Sequence, residues 1–539
     1  MFKRPNSIFL FCLLLLITVV FAYFNQQGIL LSDQYLYAKN AYLFAEGNFE
    51  LSPSVFSNRF AVFIPTAWFI KLLGMEYWVV SIWPLLTFVL LLTGTFFYLR
   101  KQSPQIALWA TVFLATNPLL IKLSADLLPD LILAVFTTLA MYCIQLAQSV
   151  KNTVSAFRWS FLFALCFIIA TLAKETTAFL LPFIGALMLI DCIQKKNLRF
   201  WLGVIVSGLL LGGTYLAFYQ LHTGDLLYRL KGIEQEHNIS KVWSYYGSST
   251  FEILARLTYK PLVFLLSSQY YSYLFFLAFI ALLYFKKEQQ ERSFKVFWAL
   301  YLGYLLAMFW WGSTSLKGYN PMPLQSRMWI LLLPPLCIFS AYTLVHWKTY
   351  VNFRFPMIAF CLIALACIGS ALWWHHDWEA IFALYFVLLL AGYAVFQQKI
   401  SSGWAVFILL PLLAYQGLFV FKYHKTKTAY FYEKNLIRQL TNSTDNLVIY
   451  SDDKLAGKYD VYFDFAPPSG LKILDWNTMQ KVSFDSSSKN KLFVWINRQR
   501  VKELNTRYGH QLPQVLAKAI EGKKPVLENQ QVAVYEITK

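Results

Sequence analysis

The sequence predicts an all-α polytopic membrane protein of about thirteen transmembrane helices, with interfacial helices in the first outer loop and a small C-terminal α/β domain outside the membrane. Three observations carry this reading. Of 539 residues, 58% are hydrophobic and only 14% charged, whereas ordinary soluble domains carry about 25% charged residues. Apolar runs close to the length that crosses about 30 Å of hydrocarbon recur through residues 1–423. From 424 to 539 the pattern turns to short alternating runs with charged residues between them.

In chain order the apolar runs are 7–24, 77–99, 105–121, 128–148, 157–173, 177–193, 200–221, 261–285, 294–311, 328–346, 355–374, 379–396 and 403–422. The first follows Lys3 and Arg4 but has no small-x-small cleavage site after it, so it reads as an uncleaved anchor. The stretch "FAVFIPTAWFIKLLG" (60–74) is too short to cross and reads as a helix lying at the interface. With the N-terminus inside, every short loop rich in Lys and Arg falls on the cytoplasmic side, including "QKKNLR" (194–199) and "KKEQQERSFK" (286–295). The long connections 25–76 and 222–260 and the tail then lie outside.

The tail carries β-like runs at 446–452, 460–465, 491–498 and 531–537, with helical patterns near 499–520. A net charge of +19 is accounted for largely by orientation and by lipid headgroups, so no nucleic-acid partner is implied. All seven cysteines (12, 143, 166, 192, 337, 361, 367) fall within apolar runs, which implies neither a disulfide framework nor a thiol-metal site.

Ionisable residues at membrane depth carry more information, because each costs at least a few kcal/mol unless paired or wetted. Asp126 and Asp130 stand one helical turn apart in "LSADLLPDLILAVFTT" (123–138); Lys174 and Glu175 occupy the minimal turn of "TLAKETTAFLLP" (171–182); Arg327 opens the run "SRMWILLLPPL". Asp33 heads "LSDQYLYAKNAYLFAEGNF" (31–49), with Tyr37 and Ala41 on its own helical face. Singly, each has an ordinary reading. A cation at a span end snorkels to the interface, Asp126 suits a helix cap or turn, and Tyr37 suits an interfacial tyrosine. Together, acids at 33 and 130 and cations at 59, 174 and 327 map to one rim of the membrane, a charge pattern suited to a phosphate-linked lipid.

Several of these strings, in this order, resemble GT-C glycosyltransferases, nearest the branch of the protein O-mannosyltransferases and the aminoarabinose transferase that modifies lipid A. Asp33, Tyr37, Ala38, Ala41 and Gly47 match the first outer loop. "NP…LPDLILAVFTTLAMY" (117–142), "LAKETTAFLLP" and "SRMWILLLPPL" (326–336) match the second acidic motif, the Lys-containing turn and the late Arg. The chain departs from many relatives at Asp33-Gln34, where they carry Asp-Glu, and at "NRFAVFIP", where only Arg59 and Pro65 stand for a Lys/Pro-rich stretch.

The resemblance implies a polyprenyl-phosphate sugar donor, an acceptor that is a lipid A-like glycolipid, a polysaccharide or a protein, and transfer with inversion. Phosphate is a weak base on leaving, so such a reaction needs cations more than a general acid, unlike the two-carboxylate hydrolysis of glycosides. Asp33 is then the base; Lys174, Arg327 and Arg59 hold the donor phosphate. Asp130 orients a cation or the sugar, with Asp126 the second candidate for that role. Tyr37, Glu175 and His222 are further substrate-binding candidates. No cofactor is assigned: "WWHHDWE" (373–379), His237 and the tail acids Asp452, Asp453, Asp460 and Asp464 read more simply as an aromatic belt, loop residues and solvated turns than as a divalent-metal site.

The competing classes are a transporter and a non-catalytic subunit of an envelope assembly complex. Transporters favour charges near the midplane and internal repeats, whereas the charges here sit at one rim. The expected location is a bacterial inner membrane, with the active site and tail outside.

Overall fold

The computed structural model describes residues 7–346 and 430–537, apart from 149, 151, 237–244, 246, 269, 284–288, 316–317, 444–445, 480–490, 499, 503–513 and 530. The expected spans 355–374, 379–396 and 403–422, the string 373–379 and His237 lie outside the described residues. Among those described, eight helices are long and apolar enough to cross a membrane, and a ninth span arises if Pro104–Thr116 and Pro118–Ala125, bent by 61°, are one. The expected run 261–285 is instead two helices, Lys260–Ser267 and Ser272–Leu283. The cause lies in the polar string between them: Ser268 takes extended backbone, and the Tyr271 hydroxyl leaves the helical path to donate to the Ser326 carbonyl at 2.6 Å.

The chain forms two compact units. One comprises Met1–Asn25, Glu50–Val62 and Trp83–Val420; the other comprises Gln26–Phe49, Phe63–Ile82 and Phe421–Lys539. In the first unit Pro129–Ala147 packs along Thr153–Ala173, which packs along Leu198–Thr223. Close approach in the second of these pairs requires Gly203, where a Cβ would meet Ser160 Oγ at 2.1 Å. Pro129–Ala147 and Ser326–Val345 are the most buried spans, while Leu198–Thr223 leaves Leu202, Val206, Leu209 and Leu210 more than half exposed. Facing water, such a stripe would expose a large apolar patch; facing acyl chains it is in its proper solvent.

Four breaks in the apolar helices shape the site. Asn117, Leu128, Lys174 and Gln325 all take extended backbone. The first two precede prolines, which disfavour helical geometry in the residue before them. The other two open 3-10 turns, Glu175–Leu180 and Ser326–Leu332. Each break frees backbone groups that need partners at membrane depth. Asn117 supplies them: its Oδ1 accepts from Leu119 N and Leu120 N, and its Nδ2 donates to the Tyr270 carbonyl at 3.0 Å.

The second unit is a five-stranded sheet with helices around it. Strands β1 (Leu447–Ser451), β2 (Leu471–Asp475), β3 (Lys491–Asn497), β4 (Leu527–Glu528) and β5 (Val532–Ile537) lie in the order β2-β1-β3-β5-β4. β1 pairs parallel with both β2 and β3, and β5 pairs antiparallel with β3 and β4. The expected strands at 446–452, 491–498 and 531–537 are β1, β3 and β5. The expected strand 460–465 is instead the 3-10 turn Tyr459–Phe463, continuing from helix Asp453–Lys458. Asp464 and Phe465 then take positive φ, and Val461 and Tyr462 are fully buried. The strand in that region is β2, where Leu471 and Ile473 face inward and Lys472 outward.

The same unit holds helix Asp33–Ala45, with Tyr37, Ala38 and Ala41 fully buried. Gly47, at φ 78, follows its end, the left-handed position that closes helices and favours glycine. Helix Phe60–Leu73 is present with Pro65 inside it and spans 14 residues, too few to cross the hydrocarbon.

Replacing Asn117 by Ala is expected to lower stability by about 1 kcal/mol or more, through loss of the cap and of the Tyr270 bond. Thermal unfolding in detergent checks this, and Asn117→Ser, which keeps a capping oxygen, is expected to recover part of the loss.

Candidate active site

The four breaks bring charge to the buried face of the first unit. Asp130 sits in the first turn of Pro129–Ala147, where the helix dipole favours an acid. Lys174 is the last residue before the chain turns, and its Nζ reaches Asp130 Oδ1 at 2.6 Å and Met328 Sδ at 3.0 Å. Their side chains are only 8% and 2% exposed, so each is the principal compensation for burying the other. Arg327, one residue before Met328, sets its charge against both Asp130 and Asp126.

A second group adjoins the first. Arg59 forms a bidentate pair with Glu175, Nη2 to Oε1 at 2.6 Å and Nε to Oε2 at 3.3 Å, a geometry that fixes orientation as well as charge. The Arg59 charge also acts on Asp130. Arg229 Nη2 stands 3.8 Å from Glu175 Oε2 and donates to the Thr171 carbonyl at 2.8 Å. The loop ahead of Arg59 is held by Asn58, whose Nδ2 donates to Ser52 and Ser54 carbonyls while Tyr219 Oη donates to its Oδ1. Carboxylates 126, 130 and 175 thus share one region with cations 59, 174, 229 and 327.

Asp126 differs from its neighbours. It is 2% exposed, and its Oδ2 has no hydrogen-bond partner among the described residues. Burial pushes its carboxyl up to about 6, against the pull of Lys122 and Arg327.

Sequence reasoning therefore named Asp126, Asp130, Lys174, Glu175, Arg59 and Arg327, which the first unit assembles, and missed Arg229. Its signal was faint: an arginine among Leu226, Leu227 and Leu230 in "GDLLYRLKG", within the long outer connection 222–260. His222 is exposed at the end of Leu198–Thr223, where Nδ1 meets the Phe218 carbonyl at 2.9 Å and the ring packs on Phe218. The remaining two candidates lie in the second unit. Tyr37 is buried inside helix Asp33–Ala45. Asp33 is half-buried in its first turn, and its charge reaches Lys458.

Lys458 Nζ donates to the Leu31 carbonyl at 3.2 Å. Burial holds its amine below the ordinary value, with Lys454 adding to the effect and Asp33 opposing it. One helical turn along, Lys39 and Tyr35 both bind Asp460, at 2.9 and 2.8 Å, tying the helix to the turn after β1. Gln34 is buried and accepts from Leu30 N at 3.1 Å, so the amide that departs from the usual Asp-Glu pair closes the turn leading into the helix.

Residues 8–219 match the model of the family described as dolichyl-phosphate-mannose-protein mannosyltransferase. Two solved structures share the fold along nearly the whole chain. ArnT from Cupriavidus metallidurans in the apo state is 12% identical with a TM-score of 0.58, covering 98% of this chain and 97% of that one. The same ArnT bound to undecaprenyl phosphate is 12% identical with a TM-score of 0.59, covering 99% of each.

This is a GT-C fold. The architecture is the mostly helical, multi-pass one with a small C-terminal sheet that the sequence implied. Family match and fold together support a membrane glycosyltransferase. No curated protein matches the chain.

Because the Asp126 carboxyl is raised from 3.8 to about 6 in the folded protein, its contribution to stability is full below pH 3.8 and is lost as pH rises through 6. Asp126→Asn removes that loss. The unfolding temperature of the variant relative to wild type is expected to rise between pH 4 and pH 7; a pH-independent difference would show that Asp126 is not held in this environment.

Proposed function

We propose that the chain transfers a sugar from a polyprenyl-phosphate donor to an acceptor outside a bacterial inner membrane, with inversion at the anomeric carbon. The observation that carries this is the set formed by the buried Lys174, Arg59 and Arg229 and the half-buried Arg327 beside Asp130 and Glu175. Four cations set against the three carboxyl groups of Asp126, Asp130 and Glu175 leave an excess of positive charge where lipid would otherwise exclude it. Such a site favours an anion, and a phosphate joined to a polyprenyl chain is an anion that arrives through the membrane.

The roles follow from the contacts. Arg59 and Arg229 are pre-positioned by Glu175, so little reorganisation is needed when charge develops on the departing phosphate. Lys174 is held between Asp130 and the Met328 sulfur, and Arg327 adds a second charge to the same carboxylate. The acceptor needs a base, and the half-buried Asp33 at the head of its helix is the proposed one. The acceptor oxygen attacks the anomeric carbon, its proton passes to the carboxylate, and the carbon–oxygen bond to phosphate breaks. ArnT in complex with undecaprenyl phosphate, a protein of the same fold, supports the donor class. The acceptor class is a glycolipid, polysaccharide or protein presented at the same face.

Asp33→Asn is expected to lower transfer by about 10²–10⁴-fold. Arg327→Gln should act chiefly on donor affinity, by roughly tenfold or more. Mass spectrometry of envelope lipids and glycans from cells carrying each variant at wild-type expression reads the outcome as a missing sugar mass. Unchanged glycans in both variants would remove the transferase reading.

A further inference from the structure

The second unit contains a cavity of about 140 Å³ that the transfer chemistry does not use. Its position follows from the topology. β1 runs parallel to β2 on one side and to β3 on the other, so the chain changes direction of winding between β1 and β3. In open parallel sheets the crevice beyond the carboxyl ends of two such strands is where ligands bind. Asp452 directly follows β1, and Asn497 ends β3 with Arg500 just beyond; all three line the cavity.

The lining is polar, buried and only partly self-satisfied. Glu433 is 5% exposed and accepts from the Tyr462 hydroxyl and from Asn497 Nδ2 at 2.8 Å. Asp452, also 5% exposed, caps the following helix through Lys454 N and Leu455 N and stands 3.8 Å from Arg500 Nε. Burial raises both carboxyls above their ordinary values. Tyr430 lines the same space, is 3% exposed, and its hydroxyl has no hydrogen-bond partner among the described residues. An unpaired buried hydroxyl costs about 1–3 kcal/mol, a cost that a bound hydroxyl or carbonyl would relieve. Leu30, Leu31 and Leu455 supply an apolar wall.

Size and chemistry select the ligand class. A cavity of about 150 Å³ takes one six-membered ring. Two buried carboxyl groups disfavour a phosphate or any other strong anion, while Arg500 and Lys454 disfavour a simple organic cation. What matches acceptor oxygens, guanidinium and amide donors, a tyrosine and an aliphatic wall in one ring-sized space is a sugar ring, with hydroxyls on several edges and C–H groups on its faces. We propose that this crevice binds one monosaccharide unit, neutral or N-acetylated, so that the second unit carries a carbohydrate-binding site of its own. Binding here is independent of the transfer reaction, although under the transferase reading the sugar would belong to the acceptor glycan.

The full-length protein in lipid nanodiscs, titrated with a panel of free hexoses, pentoses and N-acetylhexosamines and followed by saturation-transfer NMR, tests this. At least one sugar is expected to bind, and Glu433→Gln and Arg500→Gln are each expected to weaken it by roughly tenfold or more. Lys472→Ala, on the outer face of β2, and Arg327→Gln, in the other unit, should leave it unchanged. Should Glu433→Gln unfold on thermal assay, Arg500→Gln decides. Binding by no sugar in the panel, binding indifferent to both substitutions, or displacement of the sugar by inorganic phosphate would each overturn the proposal. Loss of transfer in Arg327→Gln with sugar binding intact separates the fate of this site from that of the transferase reading.

Discussion

A lysine and an aspartate 2.6 Å apart among apolar helices are tolerable only as a pair. Removing either would strand the other, at about 3–5 kcal/mol. Replacing both by apolar residues of similar volume is often neutral or stabilising in such settings, so packing alone does not require Lys174 and Asp130. The pair instead holds a cation ready in a place where lipid would otherwise exclude charge, and Arg327, Arg59, Glu175 and Arg229 are built around it.

The backbone makes that possible through interruptions rather than regular helix. Asn117 and Leu128 are driven out of helical geometry by the prolines after them, and Lys174 and Gln325 open 3-10 turns. Each interruption would leave unsatisfied amides in lipid. Asn117 meets that need for its own turn and fastens the 270 region at the same time. The breaks are thus positions where a polar backbone and a charged side chain are solvated by protein, a local environment that a phosphate can share.

Most of this architecture could be read from composition and charge placement. Long apolar runs report spans because the hydrocarbon thickness sets their length, and rim charges stand out because so few charges lie nearby. Asp130, Lys174 and Arg327 were legible for that reason. Arg229 was not, since a single arginine in a polar connection looks solvated; only the fold shows it turned toward Glu175. The run 261–285 reads as one span because hydropathy averages over the short string Ser267–Tyr271, whereas Ser268 breaks the helix there. In the tail, "DVYFDF" alternates like a strand, yet Asp452 caps the helix before it and the turn buries Tyr462 against Glu433. The true strand "LKILD" has the same period in only five residues. Gln34, conspicuous as a departure from the Asp-Glu pattern, accepts from the Leu30 backbone amide, a role that a glutamate oxygen would fill equally, so the bond accounts for a polar residue there and not for the amide.

The most direct measurement uses the double variant Lys174→Met/Asp130→Asn, which removes both members of the buried pair together. Affinity for undecaprenyl phosphate and for the neutral alcohol undecaprenol would be measured on the full-length protein in nanodiscs. If the cations at this rim hold the lipid phosphate, the double variant should lose roughly tenfold or more in affinity for the phosphate and none for the alcohol. Equal phosphate affinity in a variant as stable as wild type would mean that the pair serves packing alone, and would contradict the assignment of this cluster as the donor site.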